Sequence, residues 1–130
     1  MSSVPLAWHD DLLVGNEEMD RQHRALVAAA VELQKTIASN APQVKSRCAA
    51  LLECARRHFT SEEGLMLASG YPEYDAHRHE HQQLLNQLAF IHQNVAVGAA
   101  GDLMLTVLTA WTVPHIHFAD KAFAVFLESR

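Results

Sequence analysis

His58-Phe59-Thr60-Ser61-Glu62 and His77-Arg78-His79-Glu80-His81 decide how this chain is read. His58 and Glu62 stand four residues apart, as do His77 and His81. On a helix that step turns about 400°, so each pair faces one way, one turn apart. Imidazole and carboxylate on one helix face form a metal-binding edge suited to iron, zinc or manganese. Two such edges close in sequence imply facing helices around one site.

The flanking sequence supplies the helices. Asn16 reads as an N-cap, and Glu17 and Glu18 place acids in the first turn, where the helix dipole favours them. Met19, His23, Leu26, Ala30, Leu33 and Ile37 then recur at steps of four and three, predicting an amphipathic helix over about 17–39. Asn40-Ala41-Pro42 interrupts it. Val44, Cys48, Leu51, Ala55, His58, Glu62 and Leu65 mark a second helix over about 42–69, ended by Gly70 and stopped by Pro72. His77, His81, Leu84, Leu88, Ile91 and Val95 mark a third over about 73–97. Gly98-Ala99-Ala100-Gly101 reads as a loop, and Asp102 as the cap of a fourth helix over about 102–128. Residues 1–15, with Pro5, Gly15 and no period, read as an arm that lays Trp8, Leu12 and Leu13 on the core. No strand pattern competes. The expectation is one all-α domain over 1–130, an up-down-up-down antiparallel four-helix bundle with a short N-terminal arm.

The fourth seam is irregular. Met104, Leu108, Trp111 and His115 are followed by Asp120, Phe123 and Leu127, with a step of five between His115 and Asp120. In a regular helix those two side chains would diverge by about 140°. A one-residue π-bulge restores the seam, and such bulges favour functional sites. Pro114 lacks a backbone donor, so the ladder is already broken beside the step. A kink or bulge is expected between Ala110 and Asp120.

Seven polar residues occupy seam positions that should be apolar: His23, His58, Glu62, His77, His81, His115 and Asp120. Along the up-down course, at about 1.5 Å per residue, all fall in one slab at one end of the bundle. Buried there without partners they would be costly. Five imidazoles and two carboxylates exceed the about four ligands that one zinc takes. They suit two metal ions bridged by both carboxylates, and the ligand chemistry points to iron.

Other features limit the alternatives. The net charge of −5 argues against nucleic acid or an anionic membrane as partner. No apolar run approaches the roughly 20 residues of a membrane span, and the first residues lack a signal-peptide pattern, so a cytoplasmic protein is expected. Cys48 and Cys54 lie on different faces of one predicted helix; Cys48 reads as a core residue and Cys54 as near the surface, both free thiols that fit a reducing compartment. His9, His79, His92 and His117 lie off the seams and read as surface residues. Glu63 and Glu80 are expected to face solvent, with a positive neighbour as the alternative partner for Glu63. Gln22 and Asp20 are candidate partners for the ligand imidazoles.

With these residues in view, the sequence resembles the hemerythrin family in its bacterial single-domain form. The matching pieces are Trp8, Asp20-Arg21-Gln22-His23, His58 to Glu63, Met66, Gly70-Tyr71-Pro72, His77 to His81, and Trp111 to Asp120. The resemblance implies a four-helix bundle with a non-haem di-iron centre and an oxo or hydroxo bridge. His77, His81 and His115 would hold one iron, His23 and His58 the other, with Glu62 and Asp120 bridging. The iron with two histidines keeps an open position, where dioxygen binds in this family. Leu26, Phe59, Trp111, Thr112 and Ile116 would line that pocket. Reversible dioxygen binding for storage, delivery or sensing is therefore the expected function; a di-iron enzyme consuming peroxide or nitric oxide is the alternative. Three positions depart from the family's usual pattern: Thr112 where leucine is common, Pro114, and Phe123 where tyrosine is frequent.

Overall fold

A computed structural model of the chain describes residue 8 and residues 10–39, 42–94 and 97–130. The readings at Pro5, His9, Asn40, Ala41 and Val95 lie outside them. The described residues form helices and no strand: α1 (Glu17–Ala38), α2 (Val44–Ser69), α3 (Tyr74–Asn94) and α4 (Val97–Pro114), then a π-helical segment (His115–Asp120) and α5 (Lys121–Glu128). α4, the π segment and α5 run on as the fourth arm of a four-helix bundle. Each long helix packs on its sequence neighbours, and α4 closes the ring against α1.

Local chemistry explains the ends. The Asn16 side chain accepts a hydrogen bond from the Met19 backbone N–H at 3.0 Å, capping α1. α2 ends at Gly70, whose φ of 70° is the left-handed conformation that glycine adopts without a Cβ penalty. The expected bulge is present. The π-helix begins at His115, directly after Pro114, and the Lys121 N–H reaches the Ile116 carbonyl five residues back.

Two expectations fail for physical reasons. Gly98–Gly101 is not a loop but the first turns of α4, so Asp102 lies inside the helix and caps nothing. The glycine at 101 suits the packing there: a Cβ would lie 2.7 Å from Ile37 Cδ1, so a larger residue would push the Ile37 side chain aside where α4 meets α1. In the arm, a short 3-10 turn at Asp10–Leu12 buries Leu12 and turns Leu13 outward, and Val14 takes the inward place instead.

The apolar half of the bundle is filled by Leu33, Cys48, Leu51, Leu88, Met104 and Leu108, all buried. Each buried aliphatic side chain contributes roughly 1.5–3 kcal/mol by leaving water. The other half carries the polar seam. The arm is fixed at that end: the Val14 N–H donates to Asp20 at 2.8 Å, Lys121 donates to the Val14 carbonyl, and His117 donates to the Asp11 carbonyl. Asp20 thus anchors the arm and does not reach a seam imidazole.

Candidate metal centre

All seven polar seam residues meet at one end of the bundle, and all are buried. α1 brings His23, α2 brings His58 and Glu62, and α3 brings His77 and His81. The π segment brings both of its ends, because its wider turn carries residues five apart back toward the same face; His115 Nε2 lies 3.0 Å from Asp120 Oδ1.

The donors form two sets that share both carboxylates: His77, His81 and His115 with Glu62 and Asp120, and His23 and His58 with the same two acids. Each carboxylate divides its oxygens between the sets. Glu62 Oε1 lies 2.8 Å from His77 Nε2 and 3.2 Å from His81 Nε2. Its Oε2 faces His58 and His23 at 3.7 and 3.9 Å. Asp120 Oδ1 lies 2.9 Å from His77 and 3.0 Å from His115, while Oδ2 lies 2.9 Å from His23.

These contacts are short but poorly aligned. Both oxygens of Glu62 and of Asp120 and both nitrogens of His23 are buried without a well-directed hydrogen bond. The Nε2 atoms of His81 and His77 also stand 3.2 and 3.0 Å from that of His115. Imidazole nitrogens that meet one another and two acids at such distances are directed at points between them. That arrangement satisfies a cation, and it leaves the groups orphaned without one.

Three outer contacts set the ring tautomers. Nδ1 of His58 donates to Gln22 at 2.8 Å, Nδ1 of His81 to Glu63 at 2.8 Å, and Nδ1 of His115 to Glu80 at 3.0 Å. Each leaves an Nε2 lone pair facing inward. Gln22 meets its expectation; Glu80 is exposed as expected yet reaches the His115 ring, whereas Glu63 is turned inward to the His81 ring. His79 is exposed and His92 half-buried, while His117 is exposed and engaged with the arm. Cys48 is buried and Cys54 half-buried, both as free thiols. Phe59 stacks on His81 and Trp111 on His115, each at 4.0 Å between ring centroids. Leu26, Thr112 and Ile116 are buried in the same core.

Comparison with known proteins agrees with this geometry. Residues 14–127 match the model of the hemerythrin HHE cation-binding domain. The chain belongs to the hemerythrin family. It is 30% identical over 123 residues to a bacteriohemerythrin of Stenotrophomonas maltophilia, covering 92% of this chain and 79% of that one. It is 29% identical over 113 residues to a bacteriohemerythrin of Methylococcus capsulatus, covering 85% and 86%. A hemerythrin-like protein of Naegleria gruberi is 26% identical over 119 residues, covering 92% and 91%.

The outer acids of this hemerythrin domain differ in exposure. The Glu63 side chain is 20% exposed and that of Glu80 is 49% exposed. Water can replace Glu80 more readily. Glu63→Ala should therefore weaken metal binding toward the upper end of the roughly 10–100-fold range of such partners, and Glu80→Ala toward the lower end. Competition with a chromogenic chelator checks the order; equal effects would contradict it.

Burial sets the electrostatics. It pushes His58 down to about 4, against the pull of Glu62. It also opposes charge on His77, but the adjacent Asp120 and Glu62 carboxylates outweigh it and push that imidazole up to about 9. Burial raises both acids, yet the imidazoles around them hold Glu62 below and Asp120 well below the ordinary carboxylate range. The metal-free protein should accordingly be most stable near neutral pH. Unfolding lets His58 bind its proton more tightly, so its contribution is present above 6.5 and lost as pH falls toward about 4. Glu62 and Asp120 lose theirs in the same direction at lower pH. His77 works oppositely: its contribution is full below 6.5 and lost as pH rises through about 9. Melting temperature against pH should show a maximum between these limits, and a steady rise from acid to alkaline pH would contradict it.

Proposed function

We propose that this protein binds dioxygen reversibly at a carboxylate-bridged di-iron centre, for storage, delivery or sensing. The observation that carries the reading is the division of each carboxylate between a five-donor and a four-donor set. An ion held by His23, His58, Glu62 and Asp120 has one protein ligand fewer than its neighbour. It therefore keeps one more position for a guest.

The Nε2 atoms of His77 and His81 stand 3.0 and 3.2 Å from that of His115, close enough for the three to share one cation. Nitrogen and oxygen donors in this mixture suit iron. When bound, two ferrous ions supply the two electrons that dioxygen takes up and returns.

The chain's own residues do the rest. Gln22, Glu63 and Glu80 hold three ligand rings in the binding tautomer. Phe59 and Trp111 pack edge to face at 5.5 Å and cover His81 and His115 on their apolar side. With Leu26 and Ile116 they exclude the water and protons that promote irreversible oxidation. The free thiols of Cys48 and Cys54 fit the reducing cytoplasm.

A second reading, an enzyme consuming peroxide or nitric oxide, draws on the buried hydroxyl of Thr112 in this apolar setting. Anaerobic loading with ferrous iron, metal analysis and admission of oxygen separate the two. A long-lived oxygenated spectrum that reverses under argon is the expected result. Immediate oxidation with turnover of added peroxide or nitric oxide would establish the enzyme instead.

A further inference from the structure

Among the described residues, the buried side-chain atoms without a hydrogen-bond partner belong to His23, Glu62, Asp120 and Thr112. The first three are in the donor sets. Thr112 Oγ1 is the exception, in a side chain only 1% exposed. Helical threonines ordinarily satisfy the hydroxyl on the carbonyl four residues back. Thr36 does so on Glu32 at 2.8 Å, and Thr106 on Asp102 at 2.9 Å. Thr112 leaves that option unused. Its position places it at the site: it lies three residues before His115, roughly 60° away around the helix. Its neighbour Trp111 stacks on His115.

A buried hydroxyl without a partner is costly, and no protein group among the described residues meets this one. We infer that Thr112 is a specificity-determining residue whose hydroxyl donates a hydrogen bond to a small guest beside the metal pair. The guest class is a hydrogen-bond acceptor of two or three atoms that carries negative charge when bound. Leucine at this position would offer only contact area, so threonine biases the pocket toward guests that carry negative charge when bound. The inference deepens the reading of the site as an iron centre and rests on it.

Two measurements test it, with Thr112→Val removing the hydroxyl at nearly constant shape and Thr112→Ser retaining it. In metal-free protein, Thr112→Val should raise the melting temperature by a few degrees, because an orphaned hydroxyl is lost. A fall would show that the hydroxyl has a partner within the protein and would overturn the inference. In diferric protein, azide binding followed optically should weaken roughly 3–10-fold in Thr112→Val and recover in Thr112→Ser. Normal iron loading with unchanged azide affinity would overturn the inference while leaving the metal reading intact. Wild-type protein that takes up no iron would sink the metal reading and the inference with it, and the melting comparison would still report whether the hydroxyl is unpaired.

Discussion

Glu62→Ala should empty both metal positions, whereas His58→Ala should empty one. Glu62 belongs to both donor sets, with Oε1 toward His77 and His81 and Oε2 toward His58 and His23. Its loss takes one ligand from each set and half of the buried negative charge. Two divalent cations would then face Asp120 alone in a site closed to water, where uncompensated charge is expensive. His58 serves only the smaller set, and its removal leaves His77, His81, His115 and both carboxylates in place. Metal analysis after anaerobic loading should give about two ions per chain for the wild type, about one for His58→Ala and essentially none for Glu62→Ala. Glu62→Gln, which keeps the shape and discards the charge, should behave like the alanine variant. Circular dichroism confirms that each variant is folded before it is loaded. Retention of two ions by folded Glu62→Ala would refute the bridging role.

What the sequence made legible, and what it did not, follows from the range of each signal. Periodicity is local, so the course of α1 to α3 and the shared level of the polar seam could be read from it. The step of five between His115 and Asp120 was legible for the same reason: it is a local fault in a repeat, and the π-helix accommodates it. Contacts between helices left no such trace. Glu63 follows Glu62 by one residue and Glu80 precedes His81, so periodicity turns both away from the seam. Their long side chains nevertheless reach the outer nitrogens of His81 and His115 on neighbouring helices. Only the tilt and spacing of the helices decide that. The glycines before Asp102 misled in a related way. Gly101 reads locally as a breaker, but what it meets is the Ile37 side chain of another helix. Leu13 and Val14 exchanged places because the arm has no period to fix its register.

Removing the metal should lower the melting temperature by on the order of 10–20 °C. Without a cation, the buried atoms of His23, Glu62 and Asp120 have no well-directed partners. Each unsatisfied group costs about 1–3 kcal/mol. The effect is partly offset because His77, raised to about 9, stays protonated beside two carboxylates and supplies one compensating charge. A residue of several kcal/mol remains, and each corresponds to roughly 3–6 °C in a domain of this size. Helix content should survive, because the apolar half formed by Leu33, Leu51, Leu88, Met104 and Leu108 does not depend on the ligands. Differential scanning calorimetry of loaded, chelated and reloaded protein measures the shift. The shift should narrow as pH falls, because protons compete for the imidazoles that the metal requires neutral. A chelated protein that melts within a degree or two of the loaded one would mean that the seven side chains satisfy one another. The poor alignment of their short contacts would then carry no energetic cost, and the argument from orphaned atoms to a bound cation would lose its footing.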